Sequence, residues 1–140
     1  MTGASTDHAH LVALSLRSFW LIDHGRAAEV AALFAPDGAL TFGTGAPKPG
    51  TISGPTIAAA MQARQDDVAA VSRHVLSNFL TEPQADGSVI VRSLMTLFRT
   101  ATGDFEPVVR SVADLVDTYV QHGGEWRIAD RQILPVFGLA

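Results

Sequence analysis

Four long segments with the composition of β-strands follow one another in the second half of the chain, separated only by short turns. The segments are rich in β-branched residues, and the turns carry glycine, proline or aspartate. This arrangement predicts an antiparallel meander. The predicted strands cover residues 72–82, 88–101, 108–121 and 125–137, and the turns are Pro83–Gly87, Thr102–Pro107 and His122–Gly124.

The first half of the chain has the pattern of helices instead. Its apolar residues recur at helical spacing, and glycine and proline mark where each segment ends. The predicted elements are a helix from Thr6 or Asp7 to about His24, a short helix over 26–34 ended by Pro36–Gly38, a strand over 39–43, a loop over 43–54, and a helix from Ser53 to about Gln65.

Helices first and an antiparallel meander afterwards predict an α+β fold in which the helices cover one face of the sheet. The chain has 140 residues and shows no internal repeat or linker, so we expect a single domain over residues 1–140.

Composition excludes several classes of protein. Hydrophobic residues make up 47% of the chain and charged residues 17%, which is typical of an ordered domain. The net charge is −4 and basic residues form no stripe, so nucleic acid is not the expected partner. No apolar run is long enough for a membrane span, and no signal peptide is visible. The absence of cysteine excludes disulfides and thiol catalysis, and fits a cytoplasmic protein.

The stretch "SRHVLSN" (72–78) carries the most informative polar residues of the meander. Strict alternation puts His74, Leu76 and Asn78 on one face, and Val75 and Phe79 on the other. We expect the first set to face the interior. An alternative for His74 is a half-buried histidine bonded to a backbone carbonyl, and an alternative for Asn78 is a hydrogen bond to a loop backbone.

Further polar residues can be assigned to faces in the same way. Alternation with Val112 and Val116 makes Asp114, rather than Asp117, the inward candidate. Five arginines recur along the later strands, and we expect them on the outer face of the sheet, in cross-strand or subunit contacts. They are Arg92, Arg99, Arg110, Arg127 and Arg131.

An apolar cavity is expected between helices and sheet. In the second long strand Val91, Ser93, Met95 and Leu97 turn inward, while Ile90, Leu94 and Phe98 turn outward. Apolar groups on both faces suggest that a second subunit covers the outer one. The residues predicted to contact a ligand are Trp20, Phe42, Leu76, Asn78, Val91, Ser93, Met95, Asp114 and Trp126, with Phe34 as a further wall.

Three segments in this order resemble the nuclear transport factor 2-like superfamily, in particular its SnoaL-like branch. They are "LIDHGRAAEVAALFAPDGALTF" (21–42), "SRHVLSN" (72–78) and "GEWRIADRQILPV" (124–136). The resemblance implies three helices packed on a strongly curved sheet, a cone-shaped barrel around an apolar pocket, and a dimer through the outer sheet face. It leaves function open, since this scaffold hosts isomerases, dehydratases, cyclases, epoxide hydrolases and non-catalytic subunits.

Within that superfamily, Asp23 and His74 resemble the aspartate and histidine of scytalone dehydratase and of bile-acid dehydratases. The two tyrosines and the second histidine of scytalone dehydratase correspond here to Ile22, Phe42 and about Ser93. Phe42 also stands where ketosteroid isomerase carries its catalytic aspartate. "RHVLSN" is similar to the small subunit of aromatic-ring dioxygenases, a structural partner without chemistry of its own.

Helical spacing from Leu16, Phe19 and Trp20 directs Asp23 toward the interior, where burial and the helix dipole would raise its pKa. The alternative is an outward Asp23 that caps the Gly25 corner or pairs with Arg26. The resemblance implies that Asp23 and His74 meet in the cavity, where a carboxylate fixes the imidazole tautomer.

Two functions therefore stay open. One is a small lyase or isomerase, without metal or cofactor, that acts on an apolar cyclic or polyketide-like hydroxy-carbonyl compound, with His74 and Asp23 catalytic. The other is a non-catalytic module that binds a ligand or assembles with a larger subunit. No metal site is expected, because His8, His10, His24 and His122 lack the spacing of metal ligands.

Overall fold

The computed structural model describes residues 4–101 and 108–138, with the backbone alone for residues 4–6 and 101. This part of the chain contains two α-helices, one 3₁₀ helix and six strands, and confirms the predicted α+β class. The elements are α1 (Ala4–Asp23), the 3₁₀ helix (Ala27–Leu33), β1 (Phe34–Phe42), β2 (Gly50–Ser53), α2 (Pro55–Asp66), β3 (Ala70–Pro83), β4 (Val89–Ala101), β5 (Val108–His122) and β6 (Glu125–Gly138).

The six strands form one open sheet in the order β2-β1-β6-β5-β4-β3. Strands β3 to β6 form the predicted antiparallel meander, and β1 joins it by pairing in parallel with β6. The predicted turn Thr102–Pro107 lies outside the described residues. The arrangement agrees with the cone fold that the resemblance implied.

The interior lies between the helices and one face of the sheet. Buried side chains of α1, the 3₁₀ helix and α2 meet inward side chains of the strands in one continuous apolar layer. Full burial of a leucine, isoleucine or phenylalanine stabilises the folded state by about 1.5–3 kcal/mol. This layer contains Leu11, Leu21, Val30, Phe34, Leu40, Ile57, Val89, Val91, Tyr119 and Ile128, and a second cluster contains Phe19, Met95, Ala113 and Leu115.

The region around residue 36 differs from the prediction. The second helix is a 3₁₀ helix, and Pro36–Gly38 lies inside β1 rather than ending a helix. The pairing of β1 with β6 shifts register between Phe34 and Ala39, which accommodates the proline and the glycine. A Cβ on Gly38 would lie only 2.9 Å from the carbonyl oxygen of Ile128, so this close approach requires glycine.

The predicted loop 43–54 contains a strand that the sequence did not reveal. Residues Gly50–Ser53 form β2, which pairs antiparallel with the end of β1. Four residues are too few to show a polarity period, and their neighbourhood is dominated by glycine and proline.

An irregularity in β3 overturns the predicted face of Asn78. The pairing of β3 with β4 shifts between Ser77 and Leu80, and Asn78 adopts a left-handed conformation with φ of 58°. This bulge adds one residue and reverses the alternation after it. Asn78 is therefore exposed, whereas Phe79, predicted to face outward, packs against the core.

Three other predicted orientations are wrong. Trp20 is 52% exposed and stacks on His24, because the interior face of α1 passes through Phe19 instead. Asp114 is exposed and Asp117 is buried, because the inward series of β5 is Ala113, Leu115, Asp117 and Tyr119 rather than the valines. Arg131 is buried as well, since a register shift in the pairing of β5 with β6 turns it inward.

The remaining predicted walls face the interior. Val91, Ser93 and Met95 are buried, and three others are half-buried against the apolar clusters, namely Phe42, Leu76 and Trp126. Neither α-helix of the described chain is long and apolar enough to cross a membrane.

The left-handed conformation of Asn78 predicts an asymmetric response to substitution. Asn78→Gly should leave the free energy of unfolding nearly unchanged, whereas Asn78→Val should lower it by about 1–2 kcal/mol, because a β-branched residue is strained at positive φ. Urea unfolding measures both. Gln121→Val, at an exposed position of β5, is the control, with an expected change within about 0.5 kcal/mol. Equal stability of the glycine and valine variants at position 78 would contradict the bulge.

Candidate active site

Asp23 and His74 lie in contact, as the family resemblance implied. Asp23 is the last residue of α1, and His74 lies in the first half of β3. The imidazole Nδ1 is 2.6 Å from Oδ1 of Asp23, and the two side chains are 11% and 4% exposed. Oδ2 of the same carboxylate accepts the backbone N–H of His74 at 2.7 Å. One carboxylate thus holds both the ring and the backbone of His74.

Neighbouring side chains hold Asp23 in turn. The hydroxyl of Ser72 donates to Oδ1 of Asp23 at 2.7 Å, and Nη2 of Arg64, from α2, donates to that hydroxyl at 2.9 Å. Arg73 donates to the backbone carbonyl of Asp23 at 3.0 Å and so places a cation at the carbonyl end of α1. Arg26 pairs with Glu29, so the alternative pairing of Asp23 with Arg26 is wrong.

The pKa of Asp23 lies below its usual value. Burial alone would raise it, but hydrogen bonds and charge from His74, together with the Ser72 hydroxyl, stabilise the carboxylate by more. The predicted upward shift of this pKa is therefore wrong. The sequence indicated burial and the helix dipole but not the donors that converge on the carboxylate.

The hydrogen bond determines what His74 can do. An ionised carboxylate only accepts, so in the neutral imidazole the proton lies on Nδ1 and Nε2 carries the lone pair. Among the described residues, Nε2 has no hydrogen-bond partner. The pair therefore presents a ring nitrogen that can accept a proton, on an imidazole that the carboxylate holds in one orientation.

Apolar side chains surround the imidazole. The ring of Phe19 lies 4.8 Å from it between centroids, and Leu97 of β4 is its cross-strand partner. Leu76 and Met95 form the next inward-facing pair, two residues along β3 and β4 from His74 and Leu97, and extend the apolar wall. Water-poor surroundings of this kind strengthen the interaction of the ring with Asp23.

Ser93 is not the cross-strand neighbour of His74. Leu97, rather than Ser93, pairs with His74, and Ser93 lies two inward positions away, beyond Met95. Its hydroxyl is buried and has no hydrogen-bond partner in the described part of the chain.

Comparison with protein families matches residues 4–132 to the SnoaL-like domain. The chain belongs to this family. The match spans the helices, the candidate site and most of the meander. A comparison with curated proteins found no match.

Solved structures with the same SnoaL-like architecture include three of particular interest. ActVI-ORFA from Streptomyces coelicolor is 18% identical, with a TM-score of 0.77 over 91% of this chain and 96% of that one. A candidate scytalone dehydratase from Novosphingobium aromaticivorans is 17% identical, with a TM-score of 0.77 over 94% and 85%. The beta subunit of a candidate aromatic-ring-hydroxylating dioxygenase from the same organism is 16% identical, with a TM-score of 0.79 over 98% and 94%. At these identities the likeness shows the fold alone.

A second buried polar cluster in this SnoaL-like domain was missed by the sequence reasoning. Arg131 donates two hydrogen bonds to Asp117, at 2.7 and 2.8 Å, and Ser15 donates to the same carboxylate at 2.9 Å. The hydroxyls of Tyr119 and Ser15 are 2.7 Å apart. Burial and the charge of Asp117 raise the pKa of Tyr119, so its phenol stays protonated. The sequence held one sign of this cluster. Asp117 stands in an alternating series, Ala113, Leu115 and Tyr119, whose other members are buried, so its carboxylate should face the interior too.

A cavity of about 700 Å³ lies at the other end of the domain, near the first turns of α1. Its lining includes Asp7, His8, Leu11, Thr81 and Trp126, but neither Asp23 nor His74.

Within the described residues, no three histidine, aspartate or glutamate side chains converge as a metal site would require.

The lowered pKa of Asp23 predicts a pH-dependent contribution to stability. A folded-state pKa below the unfolded value of 3.8 gives a stabilisation that is fully present above that value and disappears as the pH falls through the folded pKa. Wild type should therefore exceed Asp23→Asn in free energy of unfolding near neutral pH, and the difference should shrink once the pH falls below 3.8.

Urea unfolding of both proteins at several pH values measures that difference. Asp37→Asn, which removes an exposed carboxylate from β1, is the matched control and should change the free energy of unfolding little throughout. A difference between wild type and Asp23→Asn that stays constant across the acid range would contradict the assignment.

Proposed function

We propose that this SnoaL-like domain is a small lyase or isomerase that moves a proton within an apolar hydroxy-carbonyl compound, with no metal or cofactor. The observation that carries the proposal is the 2.6 Å contact between His74 and Asp23, which leaves Nε2 of the imidazole directed away from the carboxylate. His74 is the general base and acid, and Asp23 fixes its tautomer and stabilises the imidazolium.

In the dehydration reaction, Nε2 of His74 removes a proton from the carbon next to the substrate carbonyl. The electron pair forms a double bond to the neighbouring carbon as its C–O bond breaks. The leaving hydroxyl takes the proton from the imidazolium and departs as water, which restores neutral His74. In the isomerase variant the imidazolium returns the proton to a different carbon. Positioned acid–base groups of this kind accelerate proton transfers by about 10²–10⁴-fold.

The surroundings of His74 support a substrate that is mostly hydrocarbon. Leu76, Met95 and Leu97 offer the substrate no charge, and an aliphatic or aromatic ring system packs favourably against such side chains. The name of one structural neighbour, a candidate scytalone dehydratase, makes loss of water the first reaction to examine.

Substitution of His74 or Asp23 should reduce kcat, whereas substitution of an exposed histidine elsewhere should not. With a panel of bicyclic β-hydroxy ketones as substrates, absorbance of the unsaturated product measures dehydration. His74→Gln should reduce kcat by about 10²–10⁴-fold, and Asp23→Asn should also reduce it. His24→Gln, which replaces an exposed histidine stacked on Trp20, is the matched control and should keep full activity. Full activity of His74→Gln on a substrate that wild type converts would overturn the proposal.

A second candidate function is that of a non-catalytic subunit, and the name of one structural neighbour, the beta subunit of a candidate dioxygenase, motivates it. The outer face of the sheet bears on assembly under either function. Val75, Thr96, Val112 and Phe137 form one cross-strand row on that face, with Val75 and Phe137 50% and 65% exposed. Apolar side chains in such a row are characteristic of a protein interface. We infer that a second copy of the chain covers this face, whichever of the two functions the domain has.

The mass in solution distinguishes these arrangements. Sedimentation of the wild type should give twice the chain mass, and Val75→Lys should shift it toward the monomer, because a buried lysine lacks a partner there. Ala59→Lys, at an exposed position of α2, should leave the mass unchanged. A monomeric wild type would contradict the inferred dimer, and stable co-purification with a larger subunit would support the non-catalytic function.

A further inference from the structure

The ion pair between Arg131 and Asp117 is unusual because it is sealed in the interior. The side chains are 2% and 0% exposed, and Ser15 and Tyr119 complete their hydrogen bonds. A buried pair of this kind is often no more stabilising than apolar side chains of the same volume. Stability alone therefore does not account for a charged pair at this place in the core.

The contacts of Arg131 lead toward the candidate site. The centre of its guanidinium lies 4.6 Å from the centroid of the Phe19 ring and 5.9 Å from that of Phe34. A guanidinium at such a distance is attracted to the aromatic face. The Phe19 ring also contacts the imidazole of His74, with centroids 4.8 Å apart and planes inclined by 37°. Phe19 is thus in contact with both polar clusters of the domain.

We propose that Arg131 and Asp117 are positioning residues for His74, acting through Phe19. Asp117 fixes the guanidinium with two hydrogen bonds, the guanidinium fixes the plane of the Phe19 ring, and that ring limits the tilt of the imidazole. The consequence for turnover rests on the proposed function, whereas the consequence for the His74 ring does not.

Asp23 cannot supply this restraint by itself. Its hydrogen bond sets the direction of Nδ1, whereas small changes in the side-chain torsions of His74 can still tilt the ring and displace Nε2. Such tilting moves Nε2 across the space where a substrate proton must lie, and proton transfer requires a donor and acceptor in direct reach of each other. A second contact on the face of the ring removes that freedom.

Two matched substitutions isolate the contact. Phe19→Leu removes the ring between Arg131 and His74, whereas Phe34→Leu removes the other ring beside Arg131, which has no ring contact with His74 among the described residues. Both phenylalanines are buried, so both changes lose comparable apolar contact and a similar stability. A merely structural role would give the two variants the same behaviour.

Nitrogen NMR of protein labelled at the histidine ring nitrogens reads out the His74 ring directly, and the spectrum of His74→Gln identifies its signals. Wild type should show one sharp set with the proton on Nδ1. Phe19→Leu should shift and broaden that set and add the Nε2–H tautomer, while Phe34→Leu should leave it unchanged. When a substrate that the wild type converts is used, Phe19→Leu should lower kcat roughly tenfold with little change in KM.

A double variant tests the ion pair without leaving a charge unpaired in the core. Asp117→Leu combined with Arg131→Met replaces both charges by apolar groups, and the hydroxyls of Ser15 and Tyr119 remain paired with each other. The fold should persist, as judged by urea unfolding, while the His74 signals change as in Phe19→Leu. A double variant that does not fold is replaced by Arg131→Lys, which keeps the charge but loses the planar contact and should alter the same signals.

His74 signals in Phe19→Leu that match those of Phe34→Leu would overturn the inference, even if His74 proved essential for turnover. Conversely, a His74→Gln variant with full activity would overturn the proposed function, while altered His74 signals in Phe19→Leu would still support the positioning contact. The two failures are therefore distinguishable.

Discussion

The carboxylate of Asp23 joins the two layers of the domain. It ends α1, and its oxygens accept hydrogen bonds from Ser72 and from both the ring and the backbone of His74 in β3. Charge-assisted hydrogen bonds are stronger than neutral ones, and these three act on two residues of one strand that point to the same face. They fix how far α1 extends across the sheet, and hence where Phe19 and the rest of its buried face meet the strands.

Two polar clusters lie in an otherwise apolar interior, and they differ in accessibility. The pair of Asp23 and His74 keeps a small exposed fraction, and one imidazole nitrogen lacks a partner among the described residues. The pair of Asp117 and Arg131 is enclosed, with its hydrogen bonds supplied by neighbouring hydroxyls. Within the described residues, only the first therefore keeps a ring nitrogen without a partner, and the second contacts the first through the ring of Phe19.

The elements of the fold and the inward faces of Asp23 and His74 could be predicted because they depend on local patterns, whereas the contact between the two side chains was implied only by the family resemblance. Helical spacing directed Asp23 inward, and strand alternation did the same for His74. Alternation fails where a strand gains a residue. The bulge at Asn78 exposed the amide and buried Phe79, and a similar shift turned Arg131 inward. Such irregularities follow from pairing with a neighbouring strand, which no single segment of sequence records.

The position of β3 at the end of the sheet gives the bulge at Asn78 a further consequence. An edge strand offers unpaired backbone groups along its free side, and a long flat edge is a template for another chain. β3 spans 14 residues, which is long for such an edge. The left-handed residue divides it into two shorter extended runs with different twist, so an added strand could pair with only one of them at a time. The same local distortion that reassigned the faces of β3 thereby protects the strand that carries His74 from intermolecular pairing.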